Sequence, residues 1–151
     1  MTSTVRGIRD NNPGNIDISN IPWQGKIPAA DNTDGRFEQF VDPFHGLRAL
    51  ARNLHTYYVE GKNTIAKIIV PYAPDSENDT EAYIATVCKL TGFDQDEVLD
   101  LGDAPTLRAI CQGIIRVENG KPDVDNGAFS ADQWYSDELV TGAVNSALGL
   151  G

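Results

Sequence analysis

The stretch Ala104-Pro-Thr-Leu-Arg-Ala-Ile-Cys-Gln-Gly-Ile-Ile-Arg-Val-Glu118-Asn-Gly120 decides how the rest of the chain is read. Asp103 can cap a helix, Pro105 suits its first turn, and Leu107, Ile110, Ile114 and Ile115 recur at helical spacing before Gly120 offers a stop. Glu118 then closes an apolar helix, where the helix carbonyls make the terminus locally negative and penalise a charged acid. Half-burial adds a desolvation penalty, and a carboxyl placed in this way is expected to keep its proton toward neutral pH. A carboxyl of that kind can act as a general acid. The same spacing also fits a solvated glutamate at a helix end.

Outward from this helix, the chain of 151 residues has the length of one domain, 1–151, with 40% hydrophobic and 8% aromatic residues. No run approaches a membrane span, and the start, Met-Thr-Ser-Thr-Val-Arg-Gly-Ile-Arg, has no apolar signal region, so synthesis in a cytoplasm without a signal peptide is expected. Acidic residues number 22 against 12 basic ones, a net charge of -10, which argues against nucleic acid as a partner. Cys88 and Cys111 read as core thiols. His45 and His55 fall ten positions apart on one helix, on different faces, and no Cys/His cluster has metal-ligand spacing, so neither a metal nor another cofactor is expected.

In chain order, Val5 to Asn20 reads as loop around the turn formers Asp10-Asn-Asn-Pro-Gly-Asn15. Ile16 to Ile18 and Arg36 to Val41 are expected to form a small hairpin or sheet. Asp42-Pro43 starts a helix that runs toward Gly61, Asn63 caps a shorter one broken at Pro71, and caps within Asp75 to Asp79 open a third that closes at Gly92. Asp94-Gln-Asp-Glu97 has capping-box spacing for one or two helical turns, and Ser130 to Gln133 opens a last helix carrying Trp134. The fold class is mainly α, with six helices and minor β near the N-terminus.

These residues carry a resemblance. Asn11-Asn12-Pro13-Gly14-Asn15-Ile16, then Trp23-Gln-Gly25, Phe37-Glu-Gln-Phe40 and the Leu47 to Tyr57 helix resemble the stretch after the catalytic glutamate in bacterial glucosaminidases of the lysozyme superfamily. Pro71-Tyr72-Ala73-Pro74 and Asp79-Thr80-x-x-Tyr83-Ile84 resemble the Tyr-Asn-Ala-Gly-Pro and Glu-Thr-x-x-Tyr-Val signatures of soluble lytic transglycosylases. Asp79 stands where that family has Glu, with Glu77 nearby, and Pro74 follows Ala73 directly. Those families open with a helix ending in Glu-Ser-Gly, and here the similar Ile114-Ile-Arg-Val-Glu118-Asn-Gly120 comes after the other motifs. The resemblance implies a lysozyme-like fold in circularly permuted order, of the kind found in small phage and prophage proteins, which requires the two ends of the chain to meet.

It also implies cleavage of peptidoglycan glycan strands between N-acetylmuramic acid and N-acetylglucosamine, as a muramidase or a lytic transglycosylase. Glu118 is the implied acid. Glu77 is the first choice for a second carboxylate, with Asp10, Asp17 and Glu38 behind it. Asn12, Asn15, Trp23, Tyr72 and Tyr83 are the implied substrate-binding residues, although each has a structural reading beside that one. Such a protein, made in a bacterial host, reaches the wall after holin-type release or as part of a virion, where other virion proteins are its partners. A non-catalytic structural or binding module of the same shape is the alternative. Arg6, Arg9, Arg36 and Arg48 are expected to offset the wall's charge locally.

Overall fold

The computed structural model describes residues 3–150. Its α-helices are α1 (Arg6–Arg9), α2 (Pro43–Val59), α3 (Ile65–Tyr72), α4 (Thr80–Thr91), α5 (Ala104–Asn119) and α6 (Asp137–Ala147), with single 3-10 turns at Ala29–Asp31 and Val124–Asn126. The fold is mainly α. α5 packs against α1, α2, α4 and α6. Its side chains Leu107, Ile110, Cys111, Ile114 and Ile115 are almost wholly excluded from solvent, and they meet Leu50 and Leu54 of α2, Val87 of α4 and Val140 and Ala143 of α6 in one core. Gly113 lets α4 come close, since a Cβ there would stand 3.1 Å from Val87 Cγ1.

The helix ends follow local chemistry. Asp103 accepts the Thr106 N–H, Asp42 accepts that of His45, Asp79 that of Ala82, and Gly92 closes α4 at φ 82°. Three boundaries differ from the sequence reading. Thr64, not Asn63, caps α3, and the helix continues through Pro71 to Tyr72, because a proline in the last turn forfeits little of the hydrogen-bond ladder. Asp94 and Glu97 do exchange cap-like bonds, Asp94 N–H to Glu97 Oε1 at 3.3 Å and Glu97 N–H to the Asp94 carbonyl at 3.2 Å, but no helix follows. Instead the chain extends so that the alternate residues Leu99 and Leu101 enter the core, and that burial outweighs the cap. Ser136, not Ser130, caps α6, and Trp134 lies before the helix with its indole N–H on the Gly120 carbonyl at 2.9 Å. Six α-helices are present among the described residues, as expected, yet α1 replaces the one anticipated at Asp94.

In place of the expected small hairpin or sheet, the described residues hold two isolated bridges. Residues 36–41 pair with residues 16–18 on one side and 25–27 on the other through isolated antiparallel bridges, Asp17 with Phe37 and Lys26 with Phe40, and no strand forms among the described residues. Before this ribbon, Asn11 and Asn15 both adopt left-handed backbone, φ 54° and 50°, which asparagine tolerates better than other side chains. The front of the chain is tied to the back: the Asn119 side chain donates to the Pro13 carbonyl at 2.8 Å, and the Thr4 hydroxyl to Asn126 Oδ1 at 2.8 Å.

Gly46 fixes how closely α2 approaches the asparagine turn, because a Cβ on it would run into the backbone carbonyl of Asn11. Helix propensity alone favours alanine there by about 1 kcal/mol. The collision is with backbone, which cannot rotate away, so Gly46→Ala is expected to destabilise the protein by about 2–3 kcal/mol net. Thermal unfolding should show a fall in Tm of roughly 5–10 °C.

Candidate functional site

The end of α5, the turn after α1 and the segment from α3 into α4 meet at a cleft of about 380 Å³. Its walls include Asn15, Asp17, Ile21, Trp23, Arg36, Phe37, Tyr57, Tyr72, Glu77 and Glu118. Glu118 is half-buried in this cleft, and both its carboxyl oxygens are held. Asn15 Nδ2 donates to Oε1 at 2.9 Å and the Tyr83 hydroxyl to Oε2 at 2.7 Å. The acid from the back of the chain therefore faces the turn from the front, across 103 positions of sequence.

The tyrosines stand behind and beside the acid. Tyr83 is only 4% exposed and does not line the cleft. Burial pushes its phenol far above the ordinary range, with Tyr72 and Glu118 adding to the shift, so it remains a hydrogen-bond donor. The substrate contact expected of Tyr83 is thus corrected to a contact with Glu118. Tyr72 does line the cleft, and its hydroxyl donates to the Gly14 carbonyl; burial, then the nearby Glu118, raises its phenol well above the usual range. A Cβ on Gly14 would collide with that hydroxyl.

Asn12 is the second correction. It is fully buried, donates to the Ile16 and Glu38 carbonyls at 3.0 and 2.9 Å and accepts the Ile16 N–H at 3.0 Å, so its amide is consumed in holding the turn to the ribbon. Trp23 lines the cleft while packing on Ile16, Phe40 and Ala49. The loop that carries it is stapled by Lys26, whose ammonium donates to the Ser19 and Ile21 carbonyls at 2.8 and 3.0 Å and pairs with buried Glu38 at 2.9 Å. Nothing in the sequence spacing marked Lys26, because its three partners come together only in the folded loop.

Of the candidate second carboxylates, Glu38 is spent on Lys26, and Asp10 lies outside the cleft beside Asp34. Asp17 and Glu77 line it, both exposed and both paired with Arg36, at 3.8 and 3.4 Å. Among the described residues the side chains that hydrogen-bond Glu118 are Asn15 and Tyr83, neither of them an acid. Among the expected offsetting cations, Arg6 binds Asp34 through two nitrogens, at 2.8 and 2.6 Å, Arg9 pairs with Asp10 and Asp34, and Arg48 reaches Ser146 on α6; only Arg36 lines the cleft. The thiols are free, and burial pushes that of Cys111 up to about 12. Among the described residues no group of His, Cys, Asp or Glu is arranged to hold a metal ion, and no helix is long and apolar enough to cross a membrane.

The chain is similar to Protein P5 of Pseudoalteromonas phage PM2, with 39% identity over 124 residues that cover 80% of this chain and 74% of that protein. No protein-family model matches it.

The Asp10 and Asp34 pair beside the turn sets a pH dependence. Desolvation, then Asp34, pushes the Asp10 carboxyl up to about 6, while the Arg6 guanidinium holds Asp34 well below the usual carboxylate range. A raised carboxyl favours the folded state when protonated, so the Asp10 contribution is complete below its unfolded pKa near 4 and is lost as pH rises through about 6. Asp34 works in the opposite sense, at lower pH. Asp10→Asn, which keeps a neutral group that can donate to Asp34, is expected to match wild type near pH 3.5 and to exceed it by on the order of 1–2 kcal/mol at pH 7.5 in denaturant titrations.

Proposed function

The chain belongs to the family of Protein P5 of Pseudoalteromonas phage PM2, and we propose that it is a lysozyme-like peptidoglycan glycosidase, circularly permuted, that cuts between N-acetylmuramic acid and N-acetylglucosamine. The observation that carries this reading is Glu118, half-buried in a sugar-sized cleft with Asn15 and Tyr83 on its two oxygens. A general acid must point one proton at one oxygen of its substrate, and a carboxyl clamped from two sides is already oriented for that. In its protonated form Glu118 gives the proton to the glycosidic oxygen as the bond to the anomeric carbon breaks and positive charge builds on the ring. The faces of Trp23 and Tyr57 on the cleft wall suit apolar sugar faces.

Two continuations follow from the same first step. Water guided by Asp17 or Glu77 from the rim yields a reducing end and a hydrolase. Attack by the substrate's own hydroxyl or acetamido group needs no second carboxylate, and it suits an acid whose side-chain partners are Asn15 and Tyr83; closure by the hydroxyl yields an anhydro end. The ribbon of residues 16–41 takes the part of the small hairpin in this reading. A phage relative fits delivery by a phage, either after holin-type release or within a virion beside other virion proteins.

Wild-type protein is expected to lower the turbidity of purified cell walls, and Glu118→Gln to do so at least about 10²-fold more slowly. Equal clearing by both removes Glu118 from the chemistry, and clearing by neither favours a non-catalytic module of the same shape. Tyr83→Phe frees one oxygen of the acid while leaving the cleft lining intact. Its kcat should fall by roughly tenfold with KM little changed, a split that steady-state kinetics on soluble glycan fragments resolves.

A further inference from the structure

Arg36 has no part in the steps above. It is the only cation among the residues that line the cleft, and its side chain is 54% exposed. It lies on Phe37, 4.8 Å from the ring centroid, while Arg6 lies 4.5 Å from the same centroid, so the ring helps to hold its position. Its ion pairs differ in quality from those of Arg6. Arg6 grips a buried Asp34 with two nitrogens at 2.6 and 2.8 Å, a closed fork. Arg36 reaches Asp17 at 3.8 Å through Nε and Glu77 at 3.4 Å through Nη2, and both acids are more than half exposed. Pairs of that length between exposed groups are weak and exchangeable. The fork therefore faces the cleft without a proper bidentate partner, and a guanidinium is the side chain best shaped to take a planar carboxylate on two bonds.

We propose that Arg36 reads a carboxylate on the bound glycan, such as the lactyl group or the stem peptide of a muramic acid residue, and so selects carboxylate-bearing strands over neutral ones. This rests on the proposed function in taking a glycan as the occupant of the cleft. Glu77 and Asp17 compete with the ligand for the fork, which makes them attenuators of its affinity. The charged groups at the mouth of the cleft, Asp17 and Glu77, repel such a ligand, so discrimination by charge falls on Arg36.

The test uses the full chain carrying Glu118→Gln, to prevent turnover, titrated calorimetrically with two soluble tetrasaccharides. One alternates N-acetylglucosamine with N-acetylmuramic acid, and the other contains N-acetylglucosamine alone. Adding Arg36→Met should weaken the first at least tenfold and the second less than twofold, and Arg36→Lys should recover part of the loss. Glu77→Gln should strengthen the first by twofold or more, a gain that a purely structural role for these residues does not produce. An unchanged ratio of the two affinities in Arg36→Met, or failure of the chain to bind the carboxylate-bearing sugar, overturns the inference. Wall clearing by wild type together with an unchanged ratio leaves the glycosidase reading standing. Charge-selective binding without clearing does the reverse.

Discussion

The hydrogen bond from Asn15 to Glu118 joins the two halves of the cleft, and the surrounding structure is arranged so that it can form. Asn15 must point its amide at α5 from a left-handed backbone, φ 50°, that few side chains accept. The turn that presents it is fixed from three directions: by the buried Asn12 amide toward the ribbon, by Asn119 toward the Pro13 carbonyl, and by Gly46 beneath Asn11. Even Gly7 belongs to this arrangement, since a Cβ there would meet the side-chain oxygens of Asn119 and Asn15. The close contacts leave no room for a side chain at either glycine.

On the other side, α5 is held by the core. Its apolar stripe is so completely buried that Glu118, two turns from the stripe's middle, has almost no freedom to shift along the helix axis. Tyr83 then sets the position of the second oxygen from α4, a helix that Gly113 allows to pack close. Orientation of the acid thus comes from rigid elements on one side and a strained turn on the other. The electrostatics divide in a similar way: charges near the turn are closed into tight pairs such as Arg6 with Asp34 and Lys26 with Glu38, while those at the cleft mouth stay loose.

Much of this was legible in the residues. Caps at Asp42, Asp79 and Asp103 and the glycine stop at Gly92 are local signals, and the helices they bound lie close to where those signals put them. The juxtaposition of Glu118 with the asparagine turn followed from the order of separated motifs, which no periodicity could have supplied. What escaped the sequence depended on partners far away in the chain. Asp94 to Glu97 has the chemistry of a helix start, but the core's demand for Leu99 and Leu101 overrides it. Asn12 and Asn15 are the same residue type three positions apart, and only the direction of each amide in space makes one a strut and the other a ligand of the acid. The motif around Tyr83 implies a residue facing substrate, whereas its burial turns it toward the carboxyl.

The cleft is assembled from pieces that differ in how they are secured. Its α5 and α4 walls are part of the bundle, while the 12–23 wall hangs from side-chain bonds such as Asn119 to Pro13 and Lys26 to the Ser19 and Ile21 carbonyls. Fewer buried apolar contacts secure that wall than secure the bundle, so it is expected to open before the helices unfold, and tolerance of heat or denaturant judged by helicity then overstates how long the groove survives.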